Sequence, residues 1–474
     1  MANYNKLIKN TAIFAVGSFS SKILTFIIAP LYTYFLTTSE YGEIDIYVTL
    51  INLIYPFISL MIQEAAIRFL LAKEINQKAI TSTCMMVFVF GIGLFFLGFP
   101  IYNLTVPNSK YLLLFSIAAI LTSYHTIFNQ LLRAQGKTVA FAINGIMYTA
   151  VFLTSNVLFI MVLRLGISGY FYSMILSLLV TSIHATICAR VFPDFSIREI
   201  KMEYIKPMLK YCIPLIPNKL VWLMMNACDK FVIKSFIGED ANGLYALAFK
   251  IPTIISMMFN LFSQAWEMNI IEDSDEKQLR TSYADVFSMM LSGLAIALSG
   301  ISLIIHPVFV LITEESFTES WRLVPILGLS TLLCCLAVFF GSIYIVNKQS
   351  VRSLWTISLG LLLNLVLSII FVQTPLGLYG VALGTALGFA LSFVIRFIDL
   401  KRKTKVEISI FKTSAILALL TLQTTFPLFL GGIPKAVADL LVLGVIMALS
   451  INEIKGVLHM LFEKLNRRKN KFKA

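Results

Sequence analysis

Long apolar runs separated by short polar turns recur along almost the whole chain, and their length decides what they are. Fourteen can be read, at about residues 10 to 36, 43 to 71, 80 to 103, 111 to 132, 139 to 163, 167 to 189, 211 to 237, 242 to 270, 282 to 312, 321 to 346, 353 to 373, 376 to 399, 411 to 430 and 433 to 451. A helix needs about 20 mainly apolar residues to cross a bilayer, so each run predicts one membrane-spanning helix. The chain is expected to be an all-α polytopic membrane protein. Its opening, MANYNKLIKN, places lysines before an apolar run with no small-residue cleavage site ahead of Pro30. This predicts a retained first span rather than a signal peptide.

Composition agrees with that class. Of 474 residues, 58% are hydrophobic and only 13% charged, with a mean hydropathy of +0.84; a soluble domain usually carries about 25% charged residues. The net charge of +13 suggests nucleic acid at first. Its distribution excludes that partner. With the N-terminus in the cytoplasm, 27 Lys and Arg residues fall in cytoplasmic segments, while the opposite loops hold only Lys110, Arg164 and Lys435 beside the acidic TTSEYGE, GED and TEESFTES. That is the positive-inside pattern, with both termini cytoplasmic. The tail RRKNKFK then reads as an anchor on anionic lipid headgroups.

Catalytic and metal chemistry find no support. Cys84, Cys188, Cys212, Cys228, Cys334 and Cys335 lie in apolar runs without a C-x-x-C pair, and His125, His184, His306 and His459 lack ligand spacing. No metal site and no cofactor is expected. Gly136-Lys137-Thr138 resembles the end of a phosphate-binding loop, but Leu131 stands where its first glycine belongs. No outward loop exceeds about ten residues, which leaves no room for an extracytoplasmic catalytic domain. A transporter, not an enzyme, is expected.

The chain also repeats. Glu40-Tyr41-Gly42 joins spans one and two as Ala241-Asn242-Gly243 joins spans seven and eight; LGISG at 165–169 is echoed by LGLYG at 376–380, and Gly136-Lys137 by Asn347-Lys348, the last two at one offset of 211. The predicted organisation is a six-helix bundle over 1–190, a cytoplasmic interfacial linker over 191–210, a second six-helix bundle over 211–400, and two further helices with a basic tail over 401–474. Repeats with an even number of spans share one orientation, with a substrate site expected between them.

Eight cations sit inside or at the ends of these runs: Lys22, Arg68, Lys219, Lys230, Lys234, Lys250, Arg322 and Arg396. Each costs about 2.5 to 3.5 kcal/mol at the centre of a span, so most should face a wet cavity or a partner. At 100° per residue Ser18, Lys22 and Thr25 share a face of span one, and Lys219, Asn226, Lys230 and Lys234 share one of span seven. Glu64 and Arg68 on span two, and Lys250, Asn260, Gln264 and Glu267 on span eight, complete a candidate lumen. Glu64 with Arg68 reads equally as a structural i, i+4 pair, and Asp229 as the neutraliser of a lysine such as Lys250. Arg322 and Arg396 read as headgroup anchors. Gly380, Gly384 and Gly388 form a small-residue ladder suited to close helix approach.

On these residues the chain resembles a known family. The six, six and two arrangement of spans, the opening KNTAIFAVGSFSSKILTFIIAPLYTYFLTTSEYGEIDIY and its counterpart DKFVIKSFIGEDANGLYALAFKI are similar to the polysaccharide repeat-unit flippases, often called Wzx, of the multidrug/oligosaccharidyl-lipid/polysaccharide exporter superfamily. The resemblance implies a V-shaped pair of bundles in the bacterial cytoplasmic membrane that flips undecaprenyl-diphosphate-linked oligosaccharide by alternating access. It also implies membrane lipids, a polysaccharide polymerase and chain-length regulators as partners. Basic residues essential in related flippases correspond to Lys22, Arg68 and Lys250, two of which are lysine here, a weaker bidentate phosphate binder than arginine. The expected roles are Lys22 and Arg68 receiving the diphosphate and Lys219 and Lys230 facing it. Two rivals stand beside this reading: a cation-coupled multidrug exporter of the same fold, and a membrane-embedded polysaccharide polymerase.

Overall fold

The computed structural model describes residues 28–72, 74–105, 110–272, 276–346, 349–404 and 408–456, and among them there is no strand. Ten helices are long and apolar enough to cross a membrane, or eleven when one bent pair is taken as a single span. The protein is therefore a multi-pass, all-helical membrane protein. Three of the fourteen runs fall outside that set. Most of the first lies outside the described residues. The seventh is a helix diluted by Asn218, Lys219, Asn226, Asp229, Lys230 and Lys234, and the thirteenth carries Lys412, Gln423 and several threonines.

The chain divides into two compact units. The first comprises Met1–Phe231 with Gly238–Gly243. It contains α1 (Thr38–Ser59), α2 (Ile62–Leu71), α3 (Gln77–Thr105), α4 (Leu112–Ala134), α5 (Thr138–Asn156) continued by a π-helical turn at Val157–Val162, α6 (Gly166–Cys188), the short α7 (Val191–Asp194), α8 (Met202–Cys212) and α9 (Leu215–Phe236) as far as Phe231. Between α1 and α2 the chain bends by 54°. Leu60 and Met61 both adopt left-handed backbone, φ 45° and 56°, at about 1 to 2 kcal/mol each for residues with a side chain. The bend packs against α3 where Gly91 lacks a Cβ, since one there would lie 1.8 Å from the Ile58 carbonyl oxygen.

The second unit comprises Val232–Ile237 and Leu244–Ala474. Its helices are α10 (Glu239–Glu272) from Leu244 onward, α11 (Glu276–Ile312), α12 (Glu315–Thr318), α13 (Val324–Val346), α14 (Ser350–Val372), α15 (Gly377–Thr404), α16 (Ile410–Phe429) and α17 (Gly432–Leu449). The apolar stretch over Glu315–Ser342 is 89% buried, against 22 to 61% for the other spans, which makes α13 the central helix. Phe287, Phe339, Phe340 and Phe393 stack around it at ring separations of 5.0 to 6.1 Å. The glycine ladder acts as its spacing implies. A Cβ on Gly384 would meet the Ser368 hydroxyl at 2.7 Å, and the Gly388 carbonyl lies 2.6 Å from where Gly360 would carry one, so α14 and α15 pack backbone to backbone.

The repeat has a conformational counterpart. Gly166 and Gly377, at the shared offset of 211, both adopt left-handed backbone, φ 54° and 48°, and each begins a long helix of its own unit.

Two cations are placed differently from their expected positions. Arg396 is 1% exposed and is no headgroup anchor. Its Nε donates to Thr356 Oγ1 at 2.9 Å, Nη1 to the Ala337 carbonyl at 2.7 Å and Nη2 to the Ser353 carbonyl at 3.1 Å, in a space open because residue 341 is glycine. The guanidinium is tolerated inside the unit because fixed acceptors replace its water. Lys435 lies within α17 rather than in an outward loop. It is 4% exposed and bridges to Asp439, itself fully buried, at 2.6 Å. Arg322 remains half-exposed beside Glu319 at 2.8 Å and the Trp321 ring.

Candidate functional site

The Thr37 side chain accepts from the Glu40 amide at 3.2 Å while Glu40 accepts from the Thr37 amide at 3.0 Å, a capping box that fixes where α1 begins. From that start Asp45 and Thr49, four residues apart, share one face of α1. The Thr49 hydroxyl donates to the Asp45 carbonyl at 2.7 Å, which leaves its oxygen free to accept. Lys230 of α9 fills that position. Its ammonium lies 3.0 Å from Thr49 Oγ1 and 3.0 and 2.8 Å from the two oxygens of Asp45. Among the described residues the ammonium donates to Thr49 Oγ1 and Asp45 Oδ1 and is in ionic contact with Asp45 Oδ2. The two side chains are 15% and 12% exposed, neither sealed in the core nor freely hydrated.

Next to this pair, still within the first unit, the two short motifs that mark the repeat touch each other. The Asn242 amide donates to the Gly42 carbonyl at 2.8 Å, and Thr38 and Ser39 hydroxyls donate to Asp240 and Glu239. A Cβ on Gly42 would lie 2.1 Å from the Glu239 carbonyl, and one on Gly243 would lie 2.0 Å from the Thr38 carbonyl. The glycines are required by this backbone contact. It sets the height at which α1, and with it Asp45, meets α9.

The other predicted residues are placed as follows. Arg68 is exposed on α2, with its guanidinium 4.4 Å from the centre of the Tyr211 ring, a cation–π contact. Among the described residues it forms no ion pair with Glu64, so the i, i+4 pairing is not made. Lys219 is half-buried, Asn226 is exposed with its amide turned to the Trp222 carbonyl at 2.9 Å, and Asp229 is buried beside Cys228. In the second unit Lys234 and Asn260 are exposed and Lys250 is half-buried. Ser18, Lys22 and Thr25, and the side chains of Gln264 and Glu267, lie outside the described residues.

Two features escaped the sequence reading. Asp45 sits inside an apolar run, in GEIDIYV, and an intramembrane carboxylate is as strong a signal as an intramembrane lysine. The second is a buried polar chain. The Asn144 amide donates to His125 Nε2 at 3.2 Å and to Asn129 at 3.0 Å, while its carbonyl oxygen accepts from His184 Nδ1 at 3.0 Å. These histidines come from α4 and α6, so no spacing within the chain could pair them. Beside α1, Tyr32 donates to Asn156 at 2.8 Å and its ring meets those of Tyr41 and Tyr170 at 6.2 and 6.1 Å. Among the described residues no group of three or more His, Cys, Asp or Glu is placed to hold a metal ion.

Residues 7–266 match the polysaccharide biosynthesis protein family. Asp45, Arg68, Lys219, Lys230 and Lys250 all fall inside that range. No curated protein matches the chain. Among solved structures, the lipid II flippase MurJ in an inward closed conformation is similar over 94% of this chain and 99% of its own, with 14% identity and a TM-score of 0.69. An inward-facing multidrug resistance transporter of the MATE family, within the MOP superfamily, is similar over 85% of this chain and 98% of its own, with 15% identity and a TM-score of 0.66. The outward-facing conformation of such a transporter gives 86% and 95%, with 16% identity and a TM-score of 0.59. At these identities the likeness is one of fold, and the family match covers more than half of the residues. The chain belongs to the polysaccharide biosynthesis protein family and has the membrane fold of the MOP-superfamily flippases and transporters.

Proposed function

We propose that this protein is a flippase, not an enzyme, that carries undecaprenyl-diphosphate-linked oligosaccharide repeat units across the cytoplasmic membrane by alternating access for polysaccharide biosynthesis. The observation that carries the reading is Lys230, a cation of α9 held by Asp45 and Thr49 of α1 at a partly exposed position. A diphosphate cannot cross hydrocarbon bare, and a lysine already paired with a single carboxylate can exchange that partner for a more highly charged one. Lys22 and Arg68 receive the diphosphate, Lys219, Lys230 and Lys250 pass it on, and Asn226, Asn260 and the tyrosines beside α1 meet the sugars. The prenyl chain stays in lipid. A polymerase and chain-length regulators would take up the product.

The multidrug exporters of the same fold supply the second reading. An exporter of organic cations needs a carboxylate open to its cargo, whereas Asp45 already holds a lysine. The test is complementation of a strain lacking its own repeat-unit flippase. The wild-type gene should restore surface polymer and Lys230→Gln should not, at equal membrane abundance. Drug efflux without polymer would support the exporter instead.

A further inference from the structure

The end of the second unit where α14 begins and α15 finishes carries an open groove of about 640 Å3 that the transport reading does not use. Gln349, Arg352, Thr356 and Asp399 line its polar part, and Trp355, Leu359 and Ile395 its apolar part. Arg352 sits in the first turn of α14 and Asp399 in the last turns of α15. The Asp399 carboxylate takes Arg352 Nε and Nη2, each at 2.7 Å, and the Tyr344 hydroxyl at 2.6 Å, so the guanidinium is held rigidly although its side chain is 53% exposed. Nη1 is left as a fixed donor. Arg402, one turn beyond Asp399, is exposed, and the amino end of α14 adds partial positive charge.

The apolar part has the opposite character. Trp355 is 64% exposed and Leu359 44%, one turn apart on the outer face of α14. Their direction runs from the helix end toward the middle of the span. A guanidinium with a free donor at the level where spans end, with Arg402 nearby and an aromatic and aliphatic trough leading inward, has the polarity of a phospholipid headgroup and one acyl chain. We infer that this groove binds one bilayer phospholipid with an anionic headgroup, its phosphate on Arg352 and Arg402 and one acyl chain along Trp355, Leu359 and Ile395. The orientation predicted from the basic loops places this end at the cytoplasmic leaflet. The anion comes from the bilayer itself, because the site continues into the exposed apolar surface of Trp355 and Leu359 within the span.

The test uses the full chain in detergent with phosphatidylglycerol or phosphatidylcholine added, and native mass spectrometry to count retained lipids. Phosphatidylglycerol should be retained at about a tenfold lower concentration than phosphatidylcholine. Arg352→Gln/Asp399→Asn, which keeps the pair neutral, should abolish that preference, and Trp355→Ala, which leaves the Arg352–Asp399 pair intact, should weaken retention of phosphatidylglycerol severalfold. Equal retention of the two lipids by the wild type, or an unchanged preference in both variants, would overturn the proposal. Displacement of phosphatidylglycerol by a much lower concentration of undecaprenyl diphosphate, lost in the same variants, would also overturn it by assigning the groove to the transported lipid.

Discussion

Lys230 of α9 and Asp45 of α1 face each other at 2.8 Å, with Thr49 completing the contact from the same side. The pair joins helices 185 residues apart in sequence and lies inside the matched family region. If it only held the helices together, either charge order would serve. Exchange by Asp45→Lys/Lys230→Asp is expected to preserve membrane abundance but not polymer export, because a carboxylate on α9 repels diphosphate. Immunoblots of membranes beside polymer quantification check this, and an exchanged variant that exports normally would reduce the pair to a structural tie.

Asp45→Asn should act in a different direction. Removing the competing anion leaves Lys230 to the ligand alone, so undecaprenyl diphosphate is expected to bind about tenfold more tightly while turnover falls. Binding measured by intrinsic tryptophan fluorescence, set against export, separates the two effects.

Arg68 rests on the Tyr211 ring rather than on Glu64. Tyr211→Phe should therefore be silent. Tyr211→Ala should cost about 0.5 to 1 kcal/mol of positioning at this exposed site and lower export, while Glu64→Gln should have no effect through Arg68. Export assays of the three variants at matched abundance distinguish these outcomes.

Gly42 admits no side chain, since a Cβ would meet the Glu239 backbone at 2.1 Å. Gly42→Ala is expected to destabilise the first unit by about 1 to 3 kcal/mol through forced backbone movement. Asn242→Ala, which removes the side-chain donor that the Gly42 carbonyl has beside its helical one, should cost about 1 kcal/mol. Thermal unfolding of the purified protein in detergent reports both.

Lys435 and Asp439 form a buried pair backed by Gln423 at 2.8 Å and by the Ser302 carbonyl at 2.7 Å. Lys435→Met alone should destabilise by about 3 to 5 kcal/mol because it strands a carboxylate, and adding Asp439→Leu should recover most of that loss. The same unfolding measurement checks the recovery.

The all-helical class and eleven of the fourteen runs were legible because length and apolarity are local properties, whereas the polar residues of the seventh and thirteenth runs take those helices out of the apolar set. Gly166 and Gly377 adopt the same backbone because one turn is used twice, and the matching motifs carried that directly. The environment of a charge is not local. Arg396 read as an anchor because it lies near a span end, yet it is buried because Gly341, Thr356 and two carbonyls from other helices surround it. Lys435 reads as a loop residue because it lies at the start of its apolar run, yet the helix already begins at Gly432 and brings Asp439, one turn on, against it. Asp45 and Lys230 explain each other only once α1 and α9 are brought together. Helix-face geometry could align Lys219, Asn226 and Lys230; it could not say which residue of another helix would meet them.

Flipping by Lys230 can be followed in liposomes that hold the purified protein and a fluorescent undecaprenyl-diphosphate-linked oligosaccharide, by the appearance of its sugar to a lectin on the outside. Wild-type protein should speed this appearance well above protein-free liposomes, and Lys230→Gln at the same protein-to-lipid ratio should not. Wild-type liposomes no faster than protein-free ones, or Lys230→Gln as fast as wild type, would contradict it.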